Sequence, residues 1–107
     1  MKLLILHVPF LPASGMALFP FILLKDVRLK KDKQIINHEQ IHLRQQLELL
    51  IVPFYLLYLL NYLVNLIVYR NHHRAYLNIV FEREAYKKDA DTDYLKKRKL
   101  WAWGHFF

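Results

Sequence analysis

The feature that most constrains this chain is an apolar run without any charge at residues 51–69, IVPFYLLYLLNYLVNLIVY. About 20 such residues are enough for a helix to cross the hydrocarbon of a bilayer. Asn61 and Asn65 lie inside the run, however, and side-chain amides in hydrocarbon need hydrogen-bonding partners. The run can therefore enter a membrane, fold back as part of the protein core, or bury against a partner subunit, and the sequence leaves these outcomes open.

The composition limits how the chain can bind a metal. Its 107 residues suit one domain covering 1–107, and 55% of them are hydrophobic, which is high for a soluble domain. Cysteine is absent, so disulfides and thiolate ligands are excluded. Any metal site in this chain must be built from His, Asp and Glu side chains.

A helix is predicted over 33–52, before the apolar run, and it contains the sequence HEQIH. Asp32 is a good N-cap, because its carboxylate can accept the free amide hydrogens of the first turn. His38 and His42 are four residues apart and therefore project from one helix face, which allows both imidazoles to bind a single Zn²⁺ ion. Glu39 lies about 100° round the helix. It is thus the candidate catalytic base that accepts a proton from zinc-bound water.

A second helix, predicted over 75–90, contains the sequence FEREAY and offers a third metal ligand. Glu82 and Glu84 are rotated roughly 200° from each other on a helix, so only one of them can face the metal. The small residue Ala85 beside Glu82 would let this helix approach the HEQIH helix closely. The spacing of Glu82 and Glu84 does not by itself decide which of them is the third ligand, so both are candidates.

These two motifs together resemble those of the gluzincin peptidases. The resemblance is strongest to their membrane-associated branches, the CAAX-type and heat-shock membrane proteases and the β-lactam-sensor peptidases. The chain is also similar to small bacterial proteins with HExxHLRQQ and FExEAY signatures. The resemblance implies that Glu82 is the third zinc ligand. Where those membrane families carry an Asp that orients a ligand histidine, this chain has Tyr86, for which we expect a supporting hydrogen bond or a role in stabilising the transition state.

Chain length sets a geometric condition on this zinc site. If one straight helix ran from Lys33 to Tyr69, Tyr69 would lie about 40 Å from His42, and Glu82 could hardly return to the histidines. We therefore expect the apolar segment to bend at Pro53 or around Asn61.

The net charge of +7 arises mainly from the clusters KKDK at 30–33 and KKRK at 96–99. Such clusters usually form a solvated surface, but they also suit an anionic membrane surface. No nucleic-acid-binding motif accompanies them, so no nucleic-acid partner is expected. The aromatic residues after KKRK suit either a membrane interface or docking onto the core.

These observations predict a mainly α, minimal zincin-like domain with a short N-terminal β-strand or hairpin, the apolar stretch 16–24 being the candidate strand. The expected function is zinc-dependent hydrolysis of peptide bonds, with a peptide or protein substrate and a membrane surface or bilayer as partners. The expected location is the membrane, in bacteria the inner membrane, or the cytoplasm. The alternatives are a non-catalytic, metal-stabilised module and a small membrane or interaction protein.

Overall fold

The fold, described for residues 4–107 by a computed structural model, is mainly helical with a small three-stranded sheet near the N-terminus, which confirms the predicted fold class. The strands are β1 (Leu4–His7), β2 (Gly15–Leu18) and β3 (Phe21–Leu24). The α-helices are α1 (Lys33–Leu49), α2 (Ile51–Tyr69), α3 (His72–Leu77), α4 (Val80–Lys88) and α5 (Tyr94–Lys97). Two 3₁₀-helices cover Val27–Lys31 and Ala102–Phe106.

The sheet packs on one side of α1. Strand β3 is central, with β1 parallel to it on one side and β2 antiparallel on the other. The apolar stretch 16–24 thus contributes to two strands of a hairpin, with the turn at Phe19 and Pro20. Ile22 and Leu24 of β3 are fully buried and pack with Leu43 of α1. This contact fixes the HEQIH helix relative to the sheet.

Helix α1 begins where the sequence predicted and ends earlier. The Asp32 carboxylate accepts hydrogen bonds from the amides of Gln34 and Ile35, as expected of an N-cap. The helix stops at Leu49 instead of residue 52, because Leu50 adopts φ 64° and ψ 159°, a conformation that cannot continue a helix. The chain therefore changes direction at Leu50.

The bend expected at Pro53 or Asn61 does not occur, since α2 is continuous through both residues. Pro53 lies in the first turn of α2, where a helix needs no amide donor. The Asn61 side-chain oxygen accepts a hydrogen bond from the Val80 amide of α4. The chain reverses instead after α2, at Arg70, which has φ 52°.

The helix predicted over 75–90 is divided into α3 and α4 at Asn78 and Ile79. Ile79 is extended, with φ −62° and ψ 130°, and it offers no side-chain cap to α4. Asn61 of α2 takes that role by binding the Val80 amide at 2.8 Å. The division therefore depends on a contact with a distant part of the chain.

Helix α2 has a polar inner side and an apolar outer side. Asn65 donates to the Ala75 carbonyl and Tyr55 donates to the Ala17 carbonyl, so these two polar side chains of α2 find partners within the protein. Phe54 is the one residue of α2 that is buried. The outer side exposes aliphatic side chains, among them Val52, Leu56, Leu60, Val64, Ile67 and Val68. Within residues 4–107, α2 is the one helix long and apolar enough to cross a membrane.

Candidate metal centre

The two histidines of HEQIH meet Glu82 of α4. Nε2 of His38 lies 3.1 Å from Oε1 of Glu82, and Nε2 of His42 lies 2.9 Å from the same oxygen. All three side chains are buried. Ala85, one turn after Glu82, packs against Ile41 and allows α4 to lie close to α1. The structure thus brings together the three residues that the sequence favoured as metal ligands.

Each histidine is held from behind by a hydrogen bond at its second ring nitrogen. Nδ1 of His38 lies 2.9 Å from Oδ2 of Asp89, and Nδ1 of His42 lies 2.7 Å from Oε1 of Gln45. The Gln45 amide nitrogen donates to the Phe81 carbonyl and to Glu84, so its oxygen must face His42. Both imidazoles therefore carry a proton on Nδ1 and direct Nε2 towards Glu82.

This arrangement requires a proton or a metal ion between the three side chains. Neutral imidazoles protonated on Nδ1 would direct two Nε2 lone pairs at a carboxylate oxygen, and no group there would donate a hydrogen bond. A proton, on an imidazole or on the Glu82 carboxyl, or a metal ion must therefore lie between the two Nε2 atoms and the Glu82 carboxylate. The donor set fits the metal as well as the protons, because two imidazole nitrogens and a carboxylate oxygen are common zinc ligands.

The ionisation of the cluster reflects the same attraction. Burial lowers the pKa of an imidazole, but the charge and hydrogen bond of Glu82 outweigh burial and raise the pKa of His42 to about 9. Burial alone would raise the pKa of Glu82, yet the two histidines hold it well below its ordinary value. Without a metal, a positively charged His42 is thus paired with an ionised Glu82.

Glu39 lies beside the cluster and faces a cavity. The cavity has a volume of about 530 Å³ and is lined by Glu39, by the three candidate ligands and by mainly apolar side chains. No residue in the range 4–107 donates a hydrogen bond to the Glu39 carboxylate, and burial raises the pKa of Glu39 despite the neighbouring histidines. A β-carbon on Gly15 would lie 3.1 Å from Oε2 of Glu39, so the absence of a side chain at Gly15 leaves room for this carboxylate.

Glu84, the alternative third ligand, is not at the histidine cluster. Its side chain is fully buried and binds Gln45, the Tyr94 hydroxyl and the Arg98 guanidinium. Burial would raise the pKa of Glu84, but hydrogen bonds from Arg98, Gln45 and Tyr94 outweigh it and lower that pKa. Glu84 thus supports Gln45, which in turn contacts His42.

Tyr86 and Tyr58 contact the cluster directly, and Tyr76 contacts Tyr86. The Tyr86 ring, predicted to support the site, packs edge-on against His38 with ring centres 4.4 Å apart, while its hydroxyl contacts the Tyr76 hydroxyl at 2.8 Å. Tyr58 of α2 donates a hydrogen bond of 2.5 Å to Oε2 of Glu82. Tyr58 therefore holds the carboxylate oxygen that is turned away from the histidines.

Sequence reasoning did not assign these supporting roles to Asp89, Gln45 and Tyr58. Helical spacing could have indicated two of them. Asp89 follows Glu82 by seven residues, two turns along the same face, and Gln45 follows His42 by three. Tyr58 gave no local signal, because its contact depends on how α2 packs against α4.

Comparisons of this chain with protein-family models, with curated proteins and with solved structures found no match.

Proposed function

We propose that this protein is a zinc-dependent metallopeptidase whose metal is held by His38, His42 and Glu82. The observation that carries the proposal is the convergence of Nε2 of both histidines on one oxygen of Glu82, at 2.9–3.1 Å, beside the Glu39 carboxylate, which faces the same cavity. Small movements of these side chains would bring the three atoms to the distances of about 2.0–2.2 Å at which zinc is bound.

The residues of the site have different roles in the proposed hydrolysis. A bound zinc ion would polarise the carbonyl of a peptide bond and make water a better nucleophile. Glu39 accepts the proton of the attacking water and can pass it to the leaving amine, since its carboxylate faces the cavity and no hydrogen-bond donor from residues 4–107 occupies it. Asp89 and Gln45 hold the two imidazoles in the tautomer that binds metal.

The cavity favours an apolar segment of a peptide as the substrate. Its walls beside Glu39 include Met16 and Ala17 of β2 and Phe54 and Leu59 of α2. Burial of an apolar side chain there contributes roughly 1.5–3 kcal/mol to binding, which also draws the neighbouring peptide bond towards the metal.

The same proposal includes contact with a membrane through the outer side of α2. This helix is about 28 Å long, close to the roughly 30 Å thickness of the hydrocarbon layer. Its exposed side is aliphatic, with Leu60 58% and Ile67 77% exposed, while Asn61 and Asn65 are hydrogen-bonded on the inner side. Hydrocarbon would cover the aliphatic side without leaving the side-chain amides of Asn61 and Asn65 unpaired.

The membrane contact can be tested by flotation of the full-length chain with phospholipid vesicles. We expect the wild type to float and the double variant Leu60→Glu/Ile67→Glu to stay in the soluble fraction. Phe10→Glu is the matched control, since Phe10 is 86% exposed but lies outside α2. Equal flotation of the wild type and the double variant would exclude α2 as the membrane contact.

A second candidate function, a non-catalytic module stabilised by metal, is favoured by the burial of the cluster at the junction of α1 and α4. His38, His42 and Glu82 are only 4–6% exposed. Zinc would then act as a cross-link between α1 and α4, because the free energy of binding to a site that the unfolded chain lacks adds to the stability of the fold.

Glu39→Gln separates these two functions. The substitution preserves the shape of residue 39 and all three candidate ligands but removes the proton acceptor. We expect the variant to bind zinc like the wild type and to lose hydrolysis of a fluorogenic casein in the presence of phospholipid vesicles, by at least about 100-fold. Zinc-dependent stabilisation without hydrolysis in the wild type would favour the non-catalytic module.

A further inference from the structure

A buried chain of hydrogen bonds leads from His42 to the C-terminal part of the protein. His42 contacts Gln45, Gln45 donates to Oε1 of Glu84 at 2.9 Å, and Arg98 binds Glu84 through Nε and Nη2. Arg98 also binds both oxygens of Glu48 near the end of α1, at 2.9 and 3.0 Å. These hydrogen bonds thus connect the candidate metal ligand His42 with Arg98, the residue that follows α5.

In the basic cluster KKRK at 96–99, Arg98 has a buried side chain and the three lysines are exposed. Its side chain is 3% exposed, as is that of Glu48, and that of Glu84 is fully buried. Removing these charges from water is costly, and a buried ion pair often adds little net stability compared with apolar residues. What the contacts show directly is that Arg98 fixes the positions of Glu48 and Glu84 relative to each other.

The geometry at stake is the orientation of the Gln45 amide. If the amide turned over, its NH₂ group would face Nδ1–H of His42 and its oxygen would face the Glu84 carboxylate, which are two repulsive contacts. The Glu84 carboxylate and the Phe81 carbonyl oppose this by accepting hydrogen bonds from the amide nitrogen, and Arg98 holds Glu84 by a fork of two hydrogen bonds.

We propose that Arg98 and Glu84 are positioning residues for His42, which they orient through Gln45, so that the C-terminal part of the chain determines how tightly the site holds zinc. This inference rests on the proposed zinc site and adds residues that do not touch the metal. It also explains why Glu84, two residues from Glu82, points into a separate buried network.

The test compares zinc affinity in the full-length chain, measured by competition with a chromogenic chelator. Arg98→Ala should weaken zinc binding about tenfold, the lower end of the range for groups outside the ligand set. Arg98→Lys restores the charge but not the fork, so its affinity should lie between those of the wild type and Arg98→Ala. Lys99→Ala, which removes a neighbouring exposed charge, is the matched control and should bind zinc like the wild type.

Glu84→Gln makes the test independent of whether Arg98→Ala folds. The substitution preserves the volume of the side chain but weakens its hydrogen bonds with Gln45 and Arg98. It should also reduce zinc affinity about tenfold. Circular dichroism of the metal-free proteins selects the folded variants. A folded Arg98→Ala or Glu84→Gln with wild-type zinc affinity would overturn the inference.

A second readout follows the hydrogen bond itself. The Nδ1 proton of His42 should give a slowly exchanging, downfield NMR resonance in the wild type, because it is buried and bound to Gln45. In Arg98→Ala this resonance should broaden or disappear, and an unchanged resonance would overturn the inference. Absence of zinc binding in the wild type would instead refute the proposed function, while this resonance would still test the positioning of His42.

Discussion

Replacement of Asp89 gives a graded test of the zinc site, because Asp89 touches a candidate ligand without binding metal itself. Its Oδ2 accepts from Nδ1 of His38 at 2.9 Å, and its Oδ1 accepts from the side-chain Nε2 of Gln34 at 2.8 Å. In Asp89→Asn a neutral oxygen can still accept from His38, as Gln45 does for His42. We expect zinc affinity to fall about tenfold, equivalent to about 1.4 kcal/mol.

Asp89→Ala should have a larger effect, since it leaves Nδ1–H of His38 without an acceptor. Zinc affinity should fall about 100-fold, or about 2.7 kcal/mol, and the metal-free protein should lose about 1–3 kcal/mol of stability. Chelator competition measures the affinity and urea unfolding measures the stability. Asp93→Asn is the control, because the Asp93 side chain is 73% exposed. Wild-type zinc affinity in both Asp89 variants would refute the assigned role.

Further predictions concern the base, the core and the buried carboxylate. Gly15→Ala should displace the Glu39 carboxylate, from which its β-carbon would be 3.1 Å away, and hydrolysis should fall by up to about 100-fold in an assay that also verifies retained zinc. Leu43→Ala should cost about 2–5 kcal/mol in urea unfolding with or without zinc, since Leu43 is 1% exposed in the core between α1 and the sheet. The pKa of Glu84 is lowered in the folded state, so its contribution to stability is present above the ordinary carboxyl pKa of 4.5 and is lost as the pH falls through the folded value. In urea unfolding at a series of pH values, the free energy of unfolding of Glu84→Gln should therefore fall less steeply with decreasing pH than that of the wild type. An equal decrease in both proteins would contradict this.

The parts of the fold that depend on local signals could be predicted from the sequence. The Asp32 cap and the spacing of HEQIH indicated the start and the inner face of α1, and the absence of charge indicated a helical apolar segment. The ends of the helices could not be predicted in the same way. Leu50 has no sequence signature for a positive φ, and the break before Val80 depends on an asparagine 19 positions earlier in the chain.

The candidate metal ligands could also be predicted from local sequence signals, but the contacts that support them could not. Periodicity established that only one of Glu82 and Glu84 could face the histidines, while the choice of Glu82 came from a resemblance between motifs. What periodicity could not supply was the set of contacts across helices, such as Tyr58 to Glu82 and Arg98 to Glu84. These contacts arise from packing, which a helical pattern does not encode.

The central claim, that His38 and His42 bind zinc, is tested most directly by the zinc content of the purified, dialysed protein. We expect stoichiometric zinc in the wild type, loss of zinc in His38→Ala and His42→Ala, and full retention in His73→Ala, which removes an exposed histidine outside the cluster. Zinc should also be lost in Glu82→Ala. Absence of zinc from the wild type, or its retention in the double variant His38→Ala/His42→Ala, would contradict the account.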